Sequence, residues 1–184
     1  MMLNAKKLKN VSNILNKDEI RLSGIIKESI VDGPGFRYVI FTQGCPKRCF
    51  MCHNASTQPL EGGYIEKMDN LVNDWRKNPL LSGITVSGGE PFIQPEAVLY
   101  LVRKAKETDL NVVLYSGFYY DELLKMNNEY IKSLLEEADY LIDGPFEYQL
   151  KNLNLLFRGS SNQKIIDLQK TKVNKEIVAV ETFE

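Results

Sequence analysis

Cys45, Cys49 and Cys52 are all the cysteines in the chain, and they fall within eight residues in the pattern C-x3-C-x2-C. Three thiolates this close can share one small inorganic centre, and soft sulfur selects zinc, copper(I) or iron-sulfur clusters over hard ions. The count of three separates these options. A cubane cluster has four irons, so three cysteines leave one iron free to bind a small molecule and pass it an electron. A catalytic metal site keeps an open position in the same way, where a structural site is closed. The competing reading is a structural zinc with His53 as fourth ligand. The adjacent Cys52-His53 pair leaves little freedom for a tetrahedron, and zinc sites usually draw their second ligand pair from a separate segment.

The elements that must position these cysteines are read from hydrophobic period and turn residues. Tyr38-Val39-Ile40-Phe41-Thr42-Gln43 is dense in β-branched and aromatic residues and reads as a buried strand whose C-terminal end runs into the cysteine loop. Before it, the apolar Leu22, Ile25, Ile26 and Ile30 lead into the turn signal Asp32-Gly33-Pro34-Gly35. Tyr64 to Lys77 reads as a helix with Ile65, Met68, Leu71, Val72 and Trp75 on one side, ended by Asn78-Pro79. Strands are expected at Gly83–Ser87, Asn111–Tyr115 and Tyr140–Ile142, with another at Ile177–Val180. A helix from about Pro95 to Glu107 separates the first two, and a helical stretch from Asp121 to Ala138, broken near Asn127-Asn128, precedes the third.

Strands alternating with helices imply a parallel sheet, which places all strand C-termini along one edge, where ligands sit in parallel α/β folds. Four special loops then share that edge: the cysteine loop, Gly88-Gly89-Glu90-Pro91, Ser116-Gly117 and Asp143-Gly144. Gly88-Gly89 lets the backbone approach a ligand closely. Lys47 and Arg48 are placed to offset the charge of a thiolate-bound centre.

The cysteine spacing resembles that of the radical S-adenosylmethionine (radical SAM) enzymes, and Cys52-His53-Asn54 resembles the continuation in their glycyl-radical-enzyme activating branch. Asp32-Gly33-Pro34-Gly35, Ser87-Gly88-Gly89-Glu90, Ile142-Asp143-Gly144 and Arg158-Gly159-Ser160-Ser161-Asn162-Gln163 follow in the order seen in activators of anaerobic ribonucleoside-triphosphate reductases, and the likeness runs from about Leu22 through Leu168. It implies a 4Fe-4S cluster held by Cys45, Cys49 and Cys52, and S-adenosyl-L-methionine on the open iron. It further implies cofactor contacts from Met51, Cys52, His53, Gly88, Gly89, Glu90, Ser116, Asp143 and Arg158. The implied partners are a large anaerobic ribonucleotide reductase, on which a glycyl radical is generated, and a reducing donor such as flavodoxin or ferredoxin. Two departures stand out. Met51 occupies a place that is often aromatic, and Pro145 replaces a lysine carried by related formate-lyase activators, which makes Arg158 the candidate partner for a cofactor carboxylate. An activator of another glycyl-radical enzyme, such as pyruvate formate-lyase, and a zinc-stabilised binding module are the alternatives.

With 184 residues, 43% hydrophobic and 26% charged, the chain is expected to form one domain, residues 21–184, behind an extension over residues 1–20 that carries a weak helical stripe of Val11, Ile14 and Leu15. A complete (βα)8 barrel takes about 250 residues, so the expected fold is α/β, a partial (βα) barrel of the radical SAM type, open at one side to a macromolecular substrate. A net charge of -1 gives no basic field for nucleic acid. The clustered odd cysteines, with no signal-like or spanning apolar run, point to a reducing, cytoplasmic setting away from membranes.

Overall fold

The structure, a computed structural model, describes residues 16–183; the expected stripe of Val11, Ile14 and Leu15 lies outside the described residues. β1 (Glu19–Ser29) turns through the Gly-Pro-Gly segment and returns antiparallel as β2 (Arg37–Thr42). β3 (Tyr64–Lys67) lies antiparallel to the first residues of β1. β4 (Gly83–Gly88), β5 (Asn111–Tyr115) and β6 (Tyr140–Asp143) run parallel to β2 and to one another. β7 (Lys164–Asp167) and β8 (Ala179–Val180) complete the sheet antiparallel. The strand order is β3-β1-β2-β4-β5-β6-β7-β8. Helices α1 (Met68–Trp75), α2 (Pro95–Lys106), α3 (Tyr120–Lys125), α4 (Glu129–Glu137) and α5 (Leu168–Asn174) connect the strands. No helix among the described residues is long and apolar enough to cross a membrane.

Two expectations are revised. The helix expected over Tyr64–Lys77 begins only at Met68, because the four residues before it pair with β1, Leu22 opposite Tyr64, and leave Ile65 44% exposed instead of packed. The sheet is parallel only at its centre. A parallel neighbour needs a crossover, usually helical, whereas β1 reaches β2 through a short turn and β6 reaches β7 through a loop with one 3-10 turn, so both pairs are antiparallel. The break near Asn127-Asn128 is present: Asn127 is left-handed, and the Asn128 side chain caps α4 by accepting from the amides of Tyr130 and Ile131.

Residues two apart on a strand share a face. Tyr38, Ile40, Ile84, Val86, Val112, Leu114, Leu141 and Ile166 therefore pack with the helices, including Met68, Leu71, Val72 and Trp75 of α1 and Val98, Leu101 and Val102 of α2. The opposite parity gives a second, smaller cluster of Val113, Tyr140, Ile142 and Ile165, joined by Tyr115, Val180 and Phe183. With apolar cover on both faces, the central strands read as continuous hydrophobic runs. At the N-terminal ends of the parallel strands Arg37 is fully buried. Its guanidinium donates to the Thr85 hydroxyl, to the Asn111 side chain and to the carbonyls of Ile84 and Asn111, and burial pulls its pKa down to about 10.

Candidate active site

At the other end of these strands, on the side away from the helices, lies a cleft of about 430 Å3. Its walls are the loops leaving four parallel strands. Cys45, Lys47, Cys49, Cys52 and His53 follow β2; Ser87, Gly88 and Gly89 end β4; Tyr115, Ser116 and Gly117 end β5; and Gly144 follows β6. Arg158, Gly159 and Gln163 form the last wall.

The cysteine loop is held by backbone bonds at its root, where the amides of Gly44 and Cys45 donate to the carbonyls of Thr57 and Gln58 at 2.7 and 3.0 Å. Arg48 and Met51, the residues just before Cys49 and Cys52, both take left-handed backbone conformations, with φ of 49° and 58°. Single left-handed residues reverse the chain tightly at a cost of about 1–2 kcal/mol each, and here each reversal brings the next cysteine back to the cleft. All three thiols are part-buried. The backbone amides of Lys47 and Arg48 donate to the Cys45 sulfur, and that of Phe146 donates to Cys49. Burial outweighs these bonds and, with the Glu90 carboxylate nearby, pushes the Cys45 thiol up to about 11; burial raises Cys49 as well. Iron must therefore displace a proton from Cys45 on binding. Among the described residues no three His, Cys, Asp or Glu side chains converge to hold a single ion. A cluster makes a looser demand, since each thiolate binds a different iron.

Lys47 crosses the cleft wall to Phe118 and Glu122. Its ammonium lies 4.1 Å from the Phe118 ring centroid and 3.2 Å from the Glu122 carboxylate, which ties the cysteine loop to the loop after β5.

Glu90 does not line the cleft. It is fully buried behind it, accepting from the amides of Phe92 (3.1 Å) and Gly117 (2.8 Å) and from the Ser116 hydroxyl (3.0 Å). Its own amide donates to the Gly44 carbonyl at 2.8 Å. The carboxylate thus fastens the loops after β4 and β5 together, and the backbone amide of the same residue adds the loop after β2. Burial raises its pKa to about 7 against the pull of the three donors. Orphaning such donors costs about 1–3 kcal/mol each, offset in part because a carboxyl no longer has to be buried, so Glu90→Ala is expected to lower stability by roughly 2–4 kcal/mol in a urea titration. A loss below about 1 kcal/mol would mean that the loops do not depend on this clasp.

Two other expected contacts are also placed elsewhere. Asp143 shares the parity of Leu141 and so points to the helix side, where its oxygens accept from the amides of Tyr120 (2.9 Å) at the start of α3 and Lys164 (3.3 Å). Desolvation raises its pKa. Met51 is 62% exposed on the outside of the left-handed turn, beside the exposed Phe50.

The segment from Arg158 to Gln163 is a knot that presents Arg158. The Gln163 side chain accepts from the amides of Gly159 (2.9 Å) and Ser160 (3.2 Å) and donates to the Gly144 carbonyl (3.0 Å). Asn162 donates to the Pro145 carbonyl at 2.8 Å, and the fully buried Ser160 accepts from the Glu147 amide at 3.1 Å. The Arg158 side chain is 9% exposed and its Nε is buried without a partner among the described residues. Of the expected site residues, the structure thus gathers the three cysteines, His53, Gly88, Gly89, Ser116 and Arg158 around one cleft. It also adds Tyr115 and Asp32, which the sequence reading left out. Tyr115 was legible, being two positions after Val113 and next to Ser116. Asp32 was not, because its approach depends on how the turn before β2 folds.

Residues 31–166 match a family model described as a 4Fe-4S single cluster domain. The anaerobic ribonucleoside-triphosphate reductase-activating protein of Vibrio cholerae is 34% identical over 144 residues, covering 74% of this chain and 90% of that protein. The protein of the same name from Escherichia coli is 34% identical over 149 residues, with 76% and 94% covered. A pyruvate formate-lyase-activating enzyme from Clostridium pasteurianum is 35% identical over 114 residues, 57% of this chain and 48% of that enzyme. With residues 31–166 matched by the family model and about three quarters of its length shared with the two reductase-activating proteins, the chain belongs to the 4Fe-4S single-cluster family, alongside the activating proteins of anaerobic ribonucleoside-triphosphate reductases.

Proposed function

We propose that the chain is a radical SAM activase that generates a glycyl radical on an anaerobic ribonucleoside-triphosphate reductase. The observation that carries this reading is the placement of Cys45, Cys49 and Cys52 on one cleft wall. Three thiolates fit a 4Fe-4S cluster with one iron open. Held there, the cluster and S-adenosylmethionine would supply the one-electron radical chemistry needed to remove a hydrogen atom from a glycine Cα.

The residues of the chain do the positioning. Cys45, Cys49 and Cys52 hold the cluster at the strand ends, and Gly88, Gly89 and Ser116 form the backbone cradle beside it. His53 stands on the same wall. Arg158 is the cation available to a ligand carboxylate, with a planar fork suited to that shape. The sheet serves as a partial (βα) barrel whose open side admits the reductase's glycine-bearing segment, and covering by that partner excludes water from the radical. Residues 21–184 form the activase domain on this reading, behind an extension over residues 1–20. A low-potential donor such as flavodoxin or ferredoxin supplies the electron.

The likeness to the Clostridium enzyme supports a second reading, in which the partner is a pyruvate formate-lyase. One experiment separates them. The reconstituted protein is mixed anaerobically with S-adenosylmethionine, a reductant and either the reductase or the lyase from the same organism, and EPR is recorded. A glycyl doublet on the reductase is the expected result. A doublet on the lyase alone would replace the first reading with the second.

A further inference from the structure

The residues that meet the Arg158 side chain and the Phe157 ring come from beyond position 166, where the family match ends. Arg158 Nη2 donates to the Glu181 carboxylate at 3.1 Å and to the Glu181 carbonyl at 3.3 Å. One residue earlier, Phe157 has a left-handed backbone with φ of 61°, and its carbonyl accepts from the Tyr115 hydroxyl at 2.9 Å. Its ring meets that of Phe183 at 4.8 Å, and Phe183 in turn meets Tyr140 at 4.9 Å. β8 brings the tail to this place by pairing Val180 with Ile165. The tail thus grips both Phe157 and Arg158, from two separate contacts.

What the grip leaves open is the informative part. Glu181 engages one guanidinium nitrogen, and Nε stays buried with no partner among the described residues, on a side chain that lines the cleft. A buried donor left unpaired is costly, and an arginine fork with one edge unfilled is the shape that a carboxylate completes. Glu181 itself is 93% exposed, so its ion pair is solvent-screened and contributes little energy; its effect is on orientation.

We propose that the C-terminal tail, Ala179 to Phe183, is a positioning element of the active site. Phe183 fixes the backbone at Phe157 and Glu181 takes one nitrogen of Arg158, so that the remaining edge of the guanidinium faces the carboxylate of the cleft ligand. This rests on the reading above that the ligand is S-adenosylmethionine, whose amino-acid end carries that carboxylate. Neither tail residue touches the ligand; both act through Arg158.

The test compares two ligands on cluster-loaded protein by equilibrium dialysis: S-adenosylmethionine and its decarboxylated analogue, which differ only in the carboxylate. Phe183→Ala is expected to weaken S-adenosylmethionine about fivefold, the scale of freeing one long side chain. Glu181→Gln is expected to weaken it about twofold. Neither should change the affinity of the analogue. Hydrogen exchange on the metal-free protein gives a readout independent of the ligand: Phe183→Ala should speed exchange at residues 157–159 and leave β4 and β5 protected. Equal losses for both ligands, or no loss for either, would overturn the proposal. Arg158→Ala is measured alongside. If it fails to discriminate the two ligands, the assignment of Arg158 to the carboxylate falls; if it discriminates and the tail variants do not, only the role of the tail falls.

Discussion

Serine in place of Cys45, Cys49 or Cys52 is expected to give a folded protein that binds no intact cluster and forms no glycyl radical. No further thiol exists in the chain to replace a lost ligand, and a serine oxygen is a poor, hard substitute for sulfur on iron. The fold should survive, because the three thiols stand part-buried on a cleft wall and none belongs to either hydrophobic cluster. Anaerobic reconstitution of the parent chain should yield a brown protein with about four irons and four sulfides, and each variant should fall well below that while keeping its far-UV circular dichroism. A serine variant that retained full iron, sulfide and radical formation would remove that cysteine from the site.

The second large effect is expected at Gly89, from a cause that the sequence did not disclose. A Gly-Gly pair after a strand reads as room for a ligand to approach the backbone. In the structure, a Cβ at Gly89 would lie 2.3 Å from the carbonyl oxygen of Gly44 and 2.8 Å from its carbonyl carbon, backbone atoms of the residue that precedes Cys45. The Glu90 amide bonds that same carbonyl. The clash therefore falls on the root of the cysteine loop, and overpacking of this kind costs about 1–3 kcal/mol. Gly89→Val is expected to impair cluster loading as well as S-adenosylmethionine binding, with radical formation down by more than about tenfold. Normal iron content with only weakened cofactor affinity would restore the simpler reading of Gly89 as a ligand contact.

That case shows where the sequence was informative. The four central strands, the loops at their ends and the cysteine wall were legible, because each rests on a local signal: an apolar run, a Gly or Pro turn, a spacing of thiols. Tyr64–Lys67 misled because its one large aliphatic residue, Ile65, falls at helical spacing from Met68, while its strand character comes only from pairing with β1. Asp143 looked like a cofactor contact by its place after a strand. Parity with Leu141, visible in the sequence, already assigned it to the helix side, and the amides that it caps confirm the reason. The clasp by Glu90 and the grip of the tail on Arg158 join residues far apart in the chain, 26 positions for Glu90 and Ser116 and 23 for Arg158 and Glu181. No local pattern announces either.

The spread of the cleft along the chain has a consequence for biosynthesis. Its lining begins at Ile26 and reaches Gln163, and the three thiols belong to the first third of that span. Synthesis delivers the chain from its N-terminal side, and a domain folds as a unit once its segments have left the ribosome. The thiols are therefore complete and accessible on a nascent chain well before Ser116, Gly144 and Arg158 exist to wall them in. Premature oxidation or capture of the wrong metal is thus a hazard of translation, and the time between emergence of Cys52 and closure by the Arg158 segment is the interval in which the thiols stand unprotected.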